Sequence, residues 1–337
     1  MFKTILVPVD GSELAESALA YAARIAAPVD GNVILLRAEA LTMRRRPRVV
    51  SADPRSTTWL VPANPRARAT LEAAAARVQA DGVAAEIDFQ RYRHGGAMAA
   101  EAILDAVREQ QPDLVVMSTH ARSGLARWRY GSVADQIVRS ADVPVMLVPA
   151  TVKRPWPVER ALRILVPLDG STLAEEILEP AGQMADQLGA ELHLLRAVEP
   201  LPMGVRANAP HRAGSLGSGE LARSWGYLTE VLDRVRRAGM VVTVRAVVGH
   251  PSAAIADAAH EADVDVIAMA THGRGGLTRL IMGSVAVATL QKAGVPLLLV
   301  RPGMAGRNGT SDAGSARASV EGIAPVTVTV PHRPPDR

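Results

Sequence analysis

The feature that most limits what this 337-residue chain can fold into is that a long stretch of it is written twice. A unit repeated at this length is one fold made twice, since each copy must bury its own apolar face. ILVPVDGSELAESAL at 5–19 returns as ILVPLDGSTLAEEIL at 164–178, so that Asp10 corresponds to Asp169. NVILLRAEAL at 32–41 returns as ELHLLRAVEPL at 191–201, and DLVVMSTHARSGLARWRYGSVADQIV at 113–138 as DVIAMATHGRGGLTRLIMGSVAVATL at 265–290. The offset is 159 at the first two segments and 152 at the third, which marks loops of different length within one fold. VPVMLVP at 143–149 and VPLLLVRP at 295–302 close the two units.

Inside each unit short apolar runs alternate with segments of helical period. Runs of this length bounded by turn residues read as buried strands. In the first unit they are Thr4–Val9, Val33–Ala38, Val83–Arg91, Leu114–Ser118 and Val145–Val148. In the second they are Ile164–Leu168, Glu191–Ala197, Val241–Val248, Val266–Ala270 and Leu297–Val300. Five strands separated by helices require right-handed crossovers, hence an α/β fold with a doubly wound, parallel, Rossmann-like sheet in each unit. Ser12 and Ser171 stand where the first helix of each unit needs an N-cap. Pro180 interrupts that helix in the second unit only, and a kink is expected there. Small aliphatic residues dominate the 48% hydrophobic content and aromatics are 3%, which suits parallel sheets covered by alanine-rich helices.

The expected domains are 1–150 and 161–302, joined by a short linker at 151–160 that contains two prolines. Residues 303–337, rich in Gly, Ser, Ala and Pro, read as a mostly disordered tail in which 326–330 is at most a marginal strand. Met43–Pro65 and its counterpart Pro202–Gly219 read as long loops after the second strand, of the kind used as lids or insertions. The closing strands Val145–Val148 and Val295–Val300 are apolar edges, so the units are expected to pair through them as an intrachain pseudo-dimer. A homodimer of the whole chain is the further expectation.

Several classes are excluded or disfavoured. With no cysteine there is no disulfide, thiol catalysis or cysteine-ligated metal. The eight histidines are scattered, and His120 and His272 have no second ligand at metal spacing, so no metal site is expected. No signal segment and no apolar run long enough to span a bilayer is visible, so a cytoplasmic location without membrane contact is expected. A net charge of +4 without interleaved aromatics argues against nucleic acid. Arg44–Arg46 is the one dense basic run, either a solvated loop or an anion or partner contact. No paired carboxylate, Ser-His-Asp spacing, nucleophile elbow or Walker lysine is present, so an enzyme is not expected beyond weak ATP hydrolysis.

In doubly wound sheets ligands bind outside the carboxyl ends of the strands, where the strand order reverses. The residues there are Asp10 or Asp169 after the first strand, and Ser118-Thr119-His120-Ala121 or Ala270-Thr271-His272-Gly273 after the fourth. Gly131-Ser132 and Gly283-Ser284 then open the next helix. Glycine allows close backbone approach, and serine with the free helix N–H groups can receive phosphate oxygens. An ordinary N-cap is the competing reading. Arg122 and Arg274 are phosphate contacts or solvated loop positions. Asp10 and Asp169 are helix-start residues, ligand contacts, or holders of Mg²⁺ with a nucleotide. His94 and His250 read as surface or capping residues.

Over nearly all of 1–302 the chain resembles the universal stress proteins in their tandem form. The resemblance rests on VPVDGS and VPLDGS, the LLRA segments, STHARSGL and ATHGRGGL, the two GSVA helix starts, and the final VPV and VPL strands. It implies an adenine-nucleotide (ATP)-binding regulator of the stress response that acts through a protein partner. It also implies Asp10 and Asp169 as nucleotide contacts, and Ala38 and Ala197 as backbone partners of adenine. The nucleotide-binding branch carries Gly-x2-Gly-x9-Gly-Ser/Thr. The second unit keeps Gly273, Gly283, Ser284 and the following Val285 but has Ala270 at the first glycine; the first keeps Gly131, Ser132 and Val133 but has Ser118 and Ala121 at both earlier glycines. Stronger binding in the second unit is therefore expected, with Gly283→Val abolishing most binding and Gly131→Val changing little. A branch without the glycines, acting as a non-nucleotide interaction or scaffold module, is the alternative.

Overall fold

The computed structural model describes residues 1–40, 65–92, 98–119, 131–152, 156–200, 210–237, 239–271 and 282–303. The strands lie within a residue or two of the positions read from the apolar runs. They are β1 (Thr4–Pro8), β2 (Asn32–Ala40), β3 (Ala84–Tyr92), β4 (Leu114–Thr119) and β5 (Val145–Pro149), then β6 (Arg163–Pro167), β7 (Glu191–Val198), β8 (Val242–Val248), β9 (Val266–Ala270) and β10 (Leu297–Val300). The order is β3-β2-β1-β4-β5-β10-β9-β6-β7-β8, one ten-stranded sheet. Within each half every pairing is parallel. Between the halves β10 runs antiparallel to β5, with Leu298 opposite Met146. The two closing strands thus cover each other's apolar edge, as their sequence requires.

Helices cover both faces. One face carries α1 (Glu13–Ala26), α2 (Pro65–Ala80), α5 (Thr172–Glu175), α6 (Leu178–Leu188) and α7 (Pro210–Val235). The other carries α3 (Met98–Gln110), α4 (Ser132–Ser140), α8 (Pro251–Glu261) and α9 (Ser284–Lys292). Successive strand residues point to opposite faces. So Leu35 packs with α1 and α2 while its neighbour Leu36 packs with α3. Each first helix starts as its sequence requires: Ser12 Oγ accepts from Ala15 N at 3.1 Å, and Ser171 Oγ from Ala174 N at 3.1 Å. In the first half α1 runs unbroken through Tyr21. In the second, Pro180 has no N–H to donate and its ring crowds the carbonyl four residues back. The helix accordingly breaks at Glu176–Ile177 and restarts as α6.

One expectation needs correction. Pro202–Gly219 is not all loop, because α7 begins at Pro210. Proline fits a first helical position, and the length of α7 is supported further on by Leu228, Val231 and Leu232, buried against the sheet. Residues 41–64, 201–209 and 304–337 lie outside the described residues, and so do the lid, insertion and tail readings made for them, together with Arg44–Arg46 and His94.

The described end of the joining segment, from Trp156 on, is packed between the halves. Trp156 is 6% exposed, and its ring meets Tyr21 of α1 edge-on at 4.9 Å. Its Nε1 donates to Asp265 O in the second half at 3.2 Å, while Arg24 of the first half donates to the carbonyls of Trp156 and Pro157. Arg160 pairs with Asp265 at 2.6 Å. The buried Gln187 of α6 accepts from Phe2 N at 2.8 Å and donates to Phe2 O at 3.0 Å. A buried amide satisfied across the boundary holds register as well as contact, since each polar group left unpaired there would be costly.

Candidate functional site

The strand order reverses between β1 and β4 in the first half and between β6 and β9 in the second. These are the switch points, and the candidate residues stand at their carboxyl ends. The Asp-Gly-Ser turn after the first strand is built alike in both halves. Gly11 has φ +82 and Gly170 φ +80, a region that favours glycine. Ser12 N donates to Asp10 Oδ1 at 2.9 Å, and Ser171 N to Asp169 Oδ1 at 2.9 Å. Ser171 Oγ adds a 2.6 Å bond to the same carboxylate oxygen. Each aspartate therefore has one oxygen tied into its own turn.

Ala38 and Ala197 are half-buried at the carboxyl ends of β2 and β7, opposite Gln90 and Val247. Ser118 and Thr119 complete β4, opposite Val148 and Pro149. Ala270 completes β9 opposite Val300, and Thr271 N donates to Val300 O at 2.8 Å. Neither Ser118 nor Ala270 has a positive φ. The first glycine of the motif is thus replaced in both halves at no conformational cost, and clearance for a ligand is the only demand left at that position. His120, Ala121, Arg122, His272, Gly273 and Arg274 lie outside the described residues.

The helix starts separate the two readings offered for Gly-Ser. The N-cap positions are the glycines, Gly131 and Gly283, and neither helix has a side-chain cap bond. Ser132 and Ser284 are the first helical residues and are exposed. Val133 and Val285 pack against the core and anchor the turn. The serines therefore do not serve as N-caps, which leaves their hydroxyls and the first-turn N–H groups of α4 and α9 at the sheet's carboxyl end. Such a start attracts anions through its free donors and its dipole. The donors, backbone N–H groups and serine hydroxyls, together with an accepting carboxylate at the same switch point, suit a phosphorylated polyol.

The two starts differ in backbone. Gly131 has φ 97 and ψ 137, whereas Gly283 has φ −58 and ψ 148, open to any residue. Gly283 N donates to Thr271 O at 2.8 Å, tying the start of α9 to the end of β9. This backbone requirement at Gly131 was not visible in its sequence, where the two Gly-Ser pairs look alike. His250 stands at the N-cap position of α8, is exposed and makes no side-chain cap bond, so of the two readings given for it the surface one holds.

The universal stress protein family profile matches residues 1–149 and again 161–301. The chain belongs to the universal stress protein family. A universal stress protein of Mycolicibacterium smegmatis is 27% identical over 313 residues, covering 88% of this chain and 97% of that one. One of Mycobacterium tuberculosis is 24% identical over 225 residues, 66% of this chain and 74% of the relative. The crystal structure of a universal stress protein from Archaeoglobus fulgidus superposes with a TM-score of 0.58 at 21% identity, covering 89% of this chain and 97% of that one. That likeness extends over both halves and concerns the fold. Among the described residues of this universal stress protein no group of three or more His, Asp or Glu is gathered as a metal site, and no helix is long and apolar enough to cross a membrane.

Proposed function

We infer that this universal stress protein is an ATP-binding regulatory protein of the stress response, with its stronger site in the second half and its effect exerted through a protein partner. The observation that carries this reading is the pair of uncapped helix starts, Gly131-Ser132 and Gly283-Ser284, at the switch points that also hold Asp10 and Asp169. Phosphates would take the N–H groups and serine hydroxyls of the helix start, with Arg122 or Arg274 and the loop histidine at their flank. Asp10 or Asp169 would take the ribose, or Mg²⁺ with the nucleotide, and the backbone of Ala38 or Ala197 would take adenine. The preference for the second half rests on Gly273 standing where the first half has Ala121, together with the unstrained Gly283. No residue in this arrangement is assigned to activating water, so regulation by occupancy is the role, with domains at 1–150 and 161–302 and self-association of the whole chain as a homodimer.

Isothermal titration of nucleotide-stripped protein with ATP tests the reading. The expected result is one stronger and one weaker site, with the stronger lost in Gly283→Val. Absence of heat from the folded wild-type protein would overturn it in favour of a non-nucleotide interaction module.

A further inference from the structure

The LLR arginine of each half, Arg37 or Arg196, reaches from the end of its second strand to the glycine of the Asp-Gly-Ser turn. A Cβ placed on Gly170 would lie 2.6 Å from Arg196 Nη1, 3.0 Å from its Cζ and 3.1 Å from its Nη2. The guanidinium therefore occupies the space that the missing side chain leaves. Its far side is held as well, with Cζ 4.8 Å from the centre of the Tyr227 ring on α7. Tyr227 is itself fixed: its hydroxyl donates to Glu175 Oε1 at 2.8 Å, and Arg234 holds Oε2 of the same carboxylate at 2.7 Å. Burial, followed by the Glu175 carboxylate, raises the phenol's pKa above its ordinary value and keeps it a donor.

The first half has the same frame without the clamp. Glu16 and Arg77 repeat the Glu175–Arg234 pair at 2.6 Å. At the position of Tyr227, however, stands Thr70, whose Cγ2 is 3.5 Å from where a Gly11 Cβ would be. Arg37 Nη1 is 3.0 Å from that point, and its Nε lies 3.4 Å from Glu39, an acid that the second half replaces with Val198. Arg37 thus also reaches its turn but has an acid of its own strand beside it, whereas Arg196 is backed by an aromatic ring.

We propose that Arg196, stacked between Gly170 and Tyr227, is a positioning residue that holds the Asp169-Gly170-Ser171 turn in its ligand-ready form, and that Thr70 and Glu39 leave the Asp10 turn less firmly held. The effect on nucleotide rests on the binding reading above; the clamp itself does not. A cation over a desolvated aromatic ring is a strong enough contact to change the opening of a local turn about tenfold. Preorganisation of a contact residue is returned as affinity.

Hydrogen exchange of the full-length, nucleotide-free protein, followed by mass spectrometry at 168–174 and 9–15, tests the clamp. Wild-type exchange is expected to be slower at 168–174. Tyr227→Thr should speed it about tenfold, whereas Tyr227→Phe, which keeps the ring, should stay close to wild type. The double variant Thr70→Tyr with Glu39→Val should slow exchange at 9–15, a gain that damage to the fold cannot imitate. ATP titration of the same proteins should show the second-half site weakened several-fold in Tyr227→Thr and retained in Tyr227→Phe. Equal exchange at the two turns in the wild type, or no change at 168–174 in Tyr227→Thr, would overturn the clamp whatever ATP does. The expected exchange pattern with no ATP heat from any form would support the clamp and overturn the binding reading instead.

Discussion

The two halves share a strand order and an Asp-Gly-Ser turn, yet they hold their candidate sites by different means. In the first half α1 is continuous, the site-side helix start needs glycine at φ 97, and Arg37 leans toward Glu39. In the second the first helix is broken ahead of Pro180, the corresponding glycine lies at φ −58, and Arg196 is stacked on Tyr227. The comparison teaches that a duplicated fold can preserve every strand while the rims of its sheets diverge. The core tolerates little change in volume, but the rims answer only to local backbone and ligand demands.

The largest expected effect comes from removing what the halves share. Trp156→Ala should cost about 3–5 kcal/mol, the range for deleting a large buried aromatic. Calorimetry should then resolve two transitions where the wild type should show one, exposing each half's own stability. A single undisturbed transition would mean that β5 and β10 suffice to couple them.

Next come the two helix-start glycines. Gly131→Val should lower stability by about 1–3 kcal/mol because valine is forced into a backbone region it rarely adopts. Gly283→Val should stay within about 0.5 kcal/mol of wild type while losing ATP binding. Urea unfolding beside ATP titration separates the two outcomes. Equal stability losses would erase the backbone difference between the sites. The expectation that Gly131→Val changes little thus needs qualifying, since it concerns binding and not the stability of the first half.

Ser12→Ala and Ser171→Ala should each cost about 1 kcal/mol, the usual loss of an N-cap. The capping bonds have equal lengths, but Ser171 Oγ also donates to Asp169, so chemical denaturation should return the larger loss for Ser171→Ala; equal losses would show that this further bond contributes nothing net. The smallest effect depends on pH and belongs to the second half alone. His193 of β7 shares a 2.9 Å hydrogen bond with Thr243 and has Glu191 at 3.3 Å; the same strand position in the first half is Ile34. Burial lowers its pKa, with Glu191 opposing and Arg163 adding to the shift. Below its ordinary value of 6.5 the unfolded chain takes up a proton that the folded one resists, so stability should fall as pH drops through 6.5 toward the lower folded value. His193→Ile should flatten that decline without changing stability above pH 7 by a comparable amount.

The strands were legible because buried parallel strands are written as short unbroken apolar runs, and the repeat supplied each reading a second time. Pro180 was equally legible, because its effect is local and steric. The start of α7 was not: in HRAGSLGSGE, glycine and serine argue for loop, while the support for helix comes from Leu228 and Val231 more than a turn away and from the sheet beneath them. The burial of Trp156 is masked by its place in a proline-bearing linker, although one of only four tryptophans in an aromatic-poor chain is itself a signal of burial. At the site, the helix starts and the paired aspartates were readable as motif. The φ of Gly131 and the stacking of Arg196 were not, because both depend on what approaches from elsewhere in the fold.

The antiparallel seam between β5 and β10 has a consequence for geography. All strands of one half point their carboxyl ends one way and all strands of the other half the opposite way, so the two mouths open at opposite poles of the molecule. The strands at the two switch points are five or six residues long, and their rise of about 17–20 Å sets the two mouths apart along the strand direction. One small ligand cannot bridge the poles, and a partner that meets one mouth squarely is turned away from the other. A protein that must sense both has to reach around the sheet or arrive as two copies from opposite sides, and a chain filled at only one pole presents two different faces to whatever docks on it.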